Sequence, residues 1–213
     1  MLVVHHLGIS QSDRIVWLCE ELELDYQLIR YERDAVTKGA PPEYRALTPF
    51  GTAPVITDDG RVLGESGAII DYLIATRGQG RLAVGAGAPN FADYLFWFHF
   101  ANGSVMSSSM MDMVAVLMGG STLSKVSAVL GSRSDRAFAQ IEHRLGETPY
   151  LAGSEFTAAD IIMMFPLTTM RVFLPRDLSS SPNTLAYLQR VGTRPAYRRA
   201  MAKADPGFTP PLT

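Results

Sequence analysis

Ser10 and Ser12 stand between an apolar run, Leu2 to His6, and a stretch with helical periodicity. A hydroxyl at such a turn can donate a hydrogen bond to an anion. The positive end of the following helix adds up to about 1 kcal/mol. The same serines have a structural use, because Ser10-Gln11-Ser12-Asp13 has capping-box spacing and either serine can cap the helix. Glu65 and Ser66 open a second helical pattern. Ser66, with the free N–H groups there, can take a carboxylate, and Glu65 can take an ammonium. A plain N-cap is the alternative for Ser66. His5 and His6 lie on the first strand, where alternation sends one side chain into the core and the other away. A hydrogen-bonded strand histidine is favoured there over a catalytic base. The single cysteine, Cys19, falls inside the first helical pattern and reads as a small core residue.

The elements that must position these residues follow from periodicity. Leu2 to His6 is a strand. Ile15, Val16, Leu18, Cys19 and Leu22 recur at helical spacing, and Tyr26 to Tyr31 is a second strand. Strand, helix, strand implies a parallel pair with a right-handed crossover. Residues 32–52 carry Pro41, Pro42, Pro49 and Gly51 and read as irregular. Pro54 to Thr57 and Arg61 to Leu63, joined by Asp58-Asp59-Gly60, form an antiparallel hairpin. A helix over Ser66 to Thr76 follows, with Gly78 as its C-terminal cap. The expected domains are 1–78, an α/β unit with a mixed four-stranded sheet, and 89–213, an all-α bundle. The Gly- and Ala-rich stretch 79–88 links them. Helical patterns in the bundle run through 90–118, 121–145, 157–173 and 182–204. Thr157-Ala158-Ala159-Asp160 is a capping box, with Phe156 and Ile161 as its hydrophobic staple.

Composition narrows the function classes. Of 213 residues, 47 % are hydrophobic and 19 % charged, which suits a compact protein. The net charge of −2, without a basic stripe, gives no bulk attraction for nucleic acid or an anionic membrane. The start MLVVHHLGIS lacks a basic leader region, and no apolar run is long enough to span a bilayer. One cysteine excludes an internal disulfide framework and a Cys-x-x-Cys pair, so a reducing, cytoplasmic setting is expected.

Taken in order, Ser10 four residues before Arg14, Thr52-Ala53-Pro54-Val55, Glu65-Ser66-Gly67-Ala68-Ile69 and the Phe156–Asp160 signature resemble a cytosolic glutathione transferase. The loop of Arg33, Asp34 and Ala40 to Glu43 resembles that of fungal and bacterial members. The resemblance covers the whole chain. It implies a thioredoxin-like first domain, an all-α second domain, a homodimer, and glutathione as co-substrate with no metal. It implies that Ser10 activates the glutathione thiol, with Ser12 as the substitute. An unperturbed thiol is only about 3 % ionised at pH 7, and lowering its pKa by about 2 takes about 2.7 kcal/mol. A hydroxyl hydrogen bond and a helix N-terminus can together supply that.

The resemblance further implies a cis Ala53–Pro54 step whose Ala53 backbone pairs with the cysteinyl residue. It places Glu65 on the γ-glutamyl ammonium and Ser66 on its carboxylate. Lys38 is the candidate for the glycyl carboxylate, and Thr52 stands where glutamine is frequent. Phe50 matches either an intersubunit aromatic key or a residue buried in its own loop. The electrophile pocket is expected between Gly8–Ile9 and the first long helix of the bundle, with the Met- and Ser-rich run Ser104–Val114 as a wall. The implied activity is conjugation of glutathione to small apolar electrophiles. The alternatives are a glutathione-dependent peroxidase and a non-catalytic binding module.

Overall fold

The computed structural model describes residues 1–117 and 124–213, with the side chains of 124–132 excepted. The expected helix ends at 118 and 121–123 lie outside the described residues. Strands β1 (Leu2–Leu7), β2 (Gln27–Tyr31), β3 (Val55–Asp58) and β4 (Arg61–Gly64) form one sheet in the order β2-β1-β3-β4. β1 pairs parallel with β2 and antiparallel with β3, and β3 pairs antiparallel with β4. Helices α1 (Asp13–Glu21) and α3 (Ser66–Thr76) complete the expected α/β unit. A short helix, α2 (Pro42–Arg45), forms inside the stretch read as irregular. Pro42 opens it, where a missing N–H costs nothing.

β1 is an inner strand, and both of its faces are covered at the histidines. Both are buried, His6 completely. His5 shares its face with Leu7, over which Tyr44 of α2 packs together with Val55. Its ring bonds Tyr31 Oη at 3.1 Å and Thr57 Oγ1 at 2.9 Å, and burial holds its pKa below the usual value. His6 faces the other way, yet that side is covered as well. The expectation of one inward and one outward histidine is therefore corrected.

After α3, Gly78 is buried and its N–H bonds Leu73 O at 2.8 Å. Gln79, with φ 54°, takes the left-handed position instead. Gly78 is needed for closeness: a Cβ there would lie 3.0 Å from Leu22 Cδ1 and 3.1 Å from the Ile74 backbone. Gly78→Ala is expected to lower stability by about 1–2 kcal/mol through overpacking, as measured by urea denaturation.

The chain divides into two compact units. The first holds Met1–Ala83 and Val191–Pro210, and the second holds Val84–Arg190 and Pro211–Thr213. The first break falls inside the stretch expected to be a linker. The second was not foreseen, because the helical pattern assigned everything beyond residue 88 to the bundle. Helix α10 (Pro195–Ala204) packs along α1 within the first unit. Tyr197 meets Trp17 edge to face at 4.9 Å. Arg194 grips Glu21 at 2.7 and 2.8 Å, while Arg199 and Lys203 bond Glu20 at 3.0 and 2.5 Å.

The second unit is helical: α4 (Phe91–Phe100), a π-helical turn (Ala101–Met106), α5 (Ser107–Leu117), α6 (Ser124–Glu147), α7 (Ala158–Leu167), α8 (Met170–Phe173) and α9 (Pro182–Gly192) up to Arg190. Three expected continuous helices are interrupted. The first widens to a π-turn at Asn102-Gly103-Ser104. The second stops after Pro166, which cannot donate to the helix ladder, and α8 restarts it. The third breaks before Pro195, where Arg194 takes an extended backbone with ψ 127°.

Helix α7 is buried at every position. Its start is the expected capping box, built around Asp160. That carboxylate accepts the Thr157 N–H at 2.8 Å and hydroxyl at 3.2 Å, the Leu151 N–H at 3.0 Å and Tyr187 Oη–H at 3.1 Å. Burial pushes its pKa up to about 6 against these bonds.

Candidate functional site

The turn from Leu7 to Ser12 joins β1 to α1. Ser12 occupies the N-cap position, but its side chain makes no capping bond. Its Oγ instead lies 2.8 Å from His6 Nδ1 and accepts the Leu7 N–H at 3.1 Å. Ser10 Oγ donates to Leu7 O at 2.7 Å, lies 2.7 Å from Ser12 Oγ and accepts the Ser12 N–H at 3.3 Å. Ser10 keeps 3 % of its surface exposed and Ser12 none, so only Ser10 has any face toward solvent.

Between them and the strand stands Ile9 with φ 48°, an outlier for a β-branched residue. Its N–H is held by both carboxylate oxygens of Asp205, at 3.0 and 3.2 Å. Asp205 comes from the chain end that follows α10. It also bonds His6 Nε2 at 3.1 Å and Arg30 at 3.4 Å. Burial alone would raise its pKa. The hydrogen bond and charge of His6, the Ile9 N–H and Arg30 outweigh that and hold it below the usual carboxylate value. Gly8 sits close against this network, and a Cβ there would lie 3.1 Å from the Arg30 guanidinium.

The outer side of the turn is fastened by Arg33. Its guanidinium donates to Gly8 O at 2.8 Å, Ile9 O at 2.9 Å and Lys38 O at 2.9 Å. Burial lowers its pKa, and Asp205 partly restores it. Asp34 closes the loop by accepting the Val36 and Thr37 N–H groups at 3.0 and 2.7 Å. Lys38 is exposed, with φ 57°, so its backbone belongs to this clamp and its ammonium projects from it. The Arg33-Asp34 motif was visible in the sequence. Its purpose, pinning the loop onto the Ser10 turn, was not.

Ala53–Pro54 is a cis peptide bond, as the resemblance implied. Pro54 is buried, Ala53 half-buried and Thr52 exposed. Thr52 and Glu65 share the wall of an open groove of about 350 Å³ with Thr48, Pro49, Phe50, Val62 and Gly64. Phe50 is 79 % exposed, which removes the alternative that it buries in its own loop.

Glu65, not Ser66, is the N-cap residue of α3. Its backbone sits at φ 68°, ψ 116° with the side chain exposed and making no cap bond. Strain of this kind costs about 1–3 kcal/mol and collects at functional sites. Ser66 is buried at the first helical position. Arg14 joins it to the Ser10 turn. The Arg14 Nη1 donates to Gln11 Oε1 at 2.9 Å and to Ser66 Oγ at 3.4 Å. Burial pushes the Arg14 pKa down to about 10, opposed by Asp13, so it remains a cation at neutral pH.

The structure thus joins Ser10 to Ser12 directly, and Arg14 links Gln11 of the same turn to Ser66. It sets Thr52 and Glu65 on one groove and ties Lys38 to the Ser10 turn through Arg33. Arg14, His6 and Asp205 were not picked out as site residues. Asp205 had no local signal, being 199 residues from His6. Cys19 is fully buried with its thiol pKa pushed far up by burial, which fits a core role. In the Met- and Ser-rich run, Met106 packs with Phe165 and Met170, while Met110, Met111 and Val114 are exposed. Among the described residues no group of His, Cys, Asp and Glu could hold a metal ion, and no helix is long and apolar enough to cross a membrane.

Comparison with known proteins identifies the family. Residues 10–76 match the model of the glutathione S-transferase N-terminal domain, and residues 106–195 that of the C-terminal domain. The chain is 33 % identical over 220 residues to glutathione S-transferase 3 of Schizosaccharomyces pombe, covering 96 % of this chain and 88 % of the relative. It is 28 % identical over 194 residues to glutathione S-transferase GstB of Escherichia coli K12, covering 88 % and 91 %. A crystal structure of a glutathione S-transferase from Actinobacillus pleuropneumoniae superposes with a TM-score of 0.88 at 29 % identity, covering 97 % of this chain and 95 % of that one. The chain belongs to the glutathione S-transferase superfamily and is an enzyme of that family.

Proposed function

We propose that this enzyme conjugates the glutathione thiolate to small apolar electrophiles, with Ser10 as the residue that activates the thiol. The observation that carries this reading is the Ser10 hydroxyl itself. It keeps a face toward solvent on a strained turn at the start of α1, and the neighbouring Gln11 is linked through Arg14 to Ser66 at the start of α3. Ser10 and the α1 N-terminus would stabilise the thiolate together. Ala53 would pair with the cysteinyl backbone, Glu65 with the ammonium, Ser66 with the γ-glutamyl carboxylate and Lys38 with the glycyl carboxylate. Thr52 would border the γ-glutamyl end. The buried cation of Arg14 behind Ser66 adds attraction for that carboxylate.

The thiolate would form a new C–S bond, giving a thioether, with release of a halide in aromatic substitution or with uptake of a proton by the substrate in conjugate addition. A homodimer is part of the reading, supported by the exposed ring of Phe50, as is a cytoplasmic, detoxifying role. Rates with an aryl halide and with an organic hydroperoxide, compared at matched glutathione, test conjugation against the peroxidase alternative. Faster conjugation is expected, and a hydroperoxide rate exceeding the aryl halide rate would reverse the assignment.

Glu65→Ala is expected to weaken glutathione binding about tenfold. A charge-assisted bond is worth about 1.5–3 kcal/mol, and the exposure of Glu65 puts it at the lower end. Calorimetry finding an unchanged Kd would remove Glu65 from the site.

A further inference from the structure

Ser10 heads a buried chain of four side chains. Its Oγ is 2.7 Å from Ser12 Oγ, Ser12 Oγ is 2.8 Å from His6 Nδ1, and His6 Nε2 is 3.1 Å from Asp205. Ser12 and His6 have no exposed surface at all. A serine capping or bracing a turn needs no such partner, and a strand histidine needs no carboxylate from the far end of the chain.

We propose that this chain is a proton relay, in which His6, braced by Asp205, receives the proton of the glutathione thiol through Ser12 and Ser10. The inference rests on the reading of Ser10 given above. Asp205 is ionised, so in the resting state His6 donates its Nε2–H to it and presents a bare Nδ1 to the Ser12 hydroxyl. Ser10 Oγ has two acceptors at the same 2.7 Å, Leu7 O and Ser12 Oγ, and rotating its proton from the first to the second completes the chain. The thiol S–H bond then breaks toward Ser10 Oγ. The Ser10 proton passes to Ser12, and the Ser12 proton passes to His6 Nδ1. Both serines end as hydroxyls, His6 ends as an imidazolium beside a carboxylate, and the thiolate keeps the electron pair. Ser10 now points its O–H at that thiolate.

The charges around His6 suit this end state. Asp205 faces it directly. Arg30 is its partner in the β1–β2 register, and both Arg30 and Arg33 interact with Asp205. His6 and Asp205 are therefore positioning residues that act through the serines.

Three measurements separate this relay from a merely structural network. In wild type, histidine-selective nitrogen NMR at about pH 8 is expected to show His6 Nδ1 becoming protonated when glutathione binds; a His6 that stays neutral overturns the relay without any variant. In His6→Gln and Ser12→Ala, the ultraviolet thiolate titration of bound glutathione is expected to move up by about 1 in pKa. Turnover near pH 6.5 should fall at least fivefold with little change in glutathione KM, and the deficit should close near pH 9. Folded variants that keep the wild-type titration and pH profile overturn it. Ser10→Ala is the reference. If it raises the thiol pKa while the other two do not, the relay alone fails. If it changes nothing, the Ser10 reading beneath it fails first.

Discussion

Replacing Ser10 with alanine is expected to lower turnover with an aryl halide about 25-fold at pH 7, with glutathione affinity near wild type. The size follows from the thiol. A bound thiol with a pKa near about 6.5 is roughly three-quarters ionised at pH 7, and one returned to about 8.5 is about 3 % ionised. The affinity is expected to hold because Ser10 would meet only the reacting sulfur, whereas Glu65, Ser66, Ala53 and Lys38 would hold the rest of the tripeptide. Ser10 also braces the turn, through Leu7 O at 2.7 Å and the Ser12 N–H at 3.3 Å. Its loss is therefore expected to cost about 1 kcal/mol of stability as well. The two effects are separated by assaying at a temperature where circular dichroism shows the variant folded. A folded variant with wild-type turnover would remove Ser10 from the chemistry.

Asp160→Ala is expected to destabilise the protein by about 3–5 kcal/mol while leaving kcat per folded molecule unchanged. The carboxylate is completely buried and accepts four donors, from Thr157, Leu151 and Tyr187. Alanine leaves those donors without an acceptor, at about 1–3 kcal/mol for each group that finds no substitute. It also removes the reciprocal cap from α7, whose ten residues are all buried. Asp160→Asn keeps one carbonyl oxygen but turns an amide N–H₂ toward donors, so an intermediate loss is expected. Urea denaturation at neutral pH measures both, and a loss below about 1 kcal/mol for the alanine variant would show that the cap is dispensable.

What was legible in the sequence was local. The hairpin across Asp58-Asp59-Gly60, the helix over Ser66 to Thr76 and the box at Thr157–Asp160 each depend on residues a few positions apart, and each formed where the spacing implied. The breaks in the bundle were partly written too. Pro166 and Pro195 stand at two of them, but apolar periodicity continues across both, and periodicity alone reads them as single helices. The burial of both His5 and His6 is tertiary. In the sequence they are neighbours on a strand, and both are buried because elements cover the two faces of β1, Tyr44 on the His5 side and Ser12 and Asp205 around His6.

The site divides the same way. The order of Ser10, Ala53–Pro54 and Glu65–Ser66 pointed to a family before any geometry was known. The parts that brace the site are tertiary. Asp205 reaches the Ile9 N–H only because α10 folds back along α1, a packing set by Trp17, Tyr197 and the Glu20 and Glu21 ion pairs. Arg14 and Arg33 were read as motif letters. Their work, fastening the Ser10 turn to Ser66 and to the Lys38 loop, exists only in three dimensions.

The most direct test is a crystal structure of the enzyme with glutathione bound. The sulfur is expected within about 3.5 Å of Ser10 Oγ, with the Ser12 hydroxyl still turned inward on His6. A sulfur that sits on another donor, with Ser10 remaining bonded to Leu7 O and out of its reach, would contradict it.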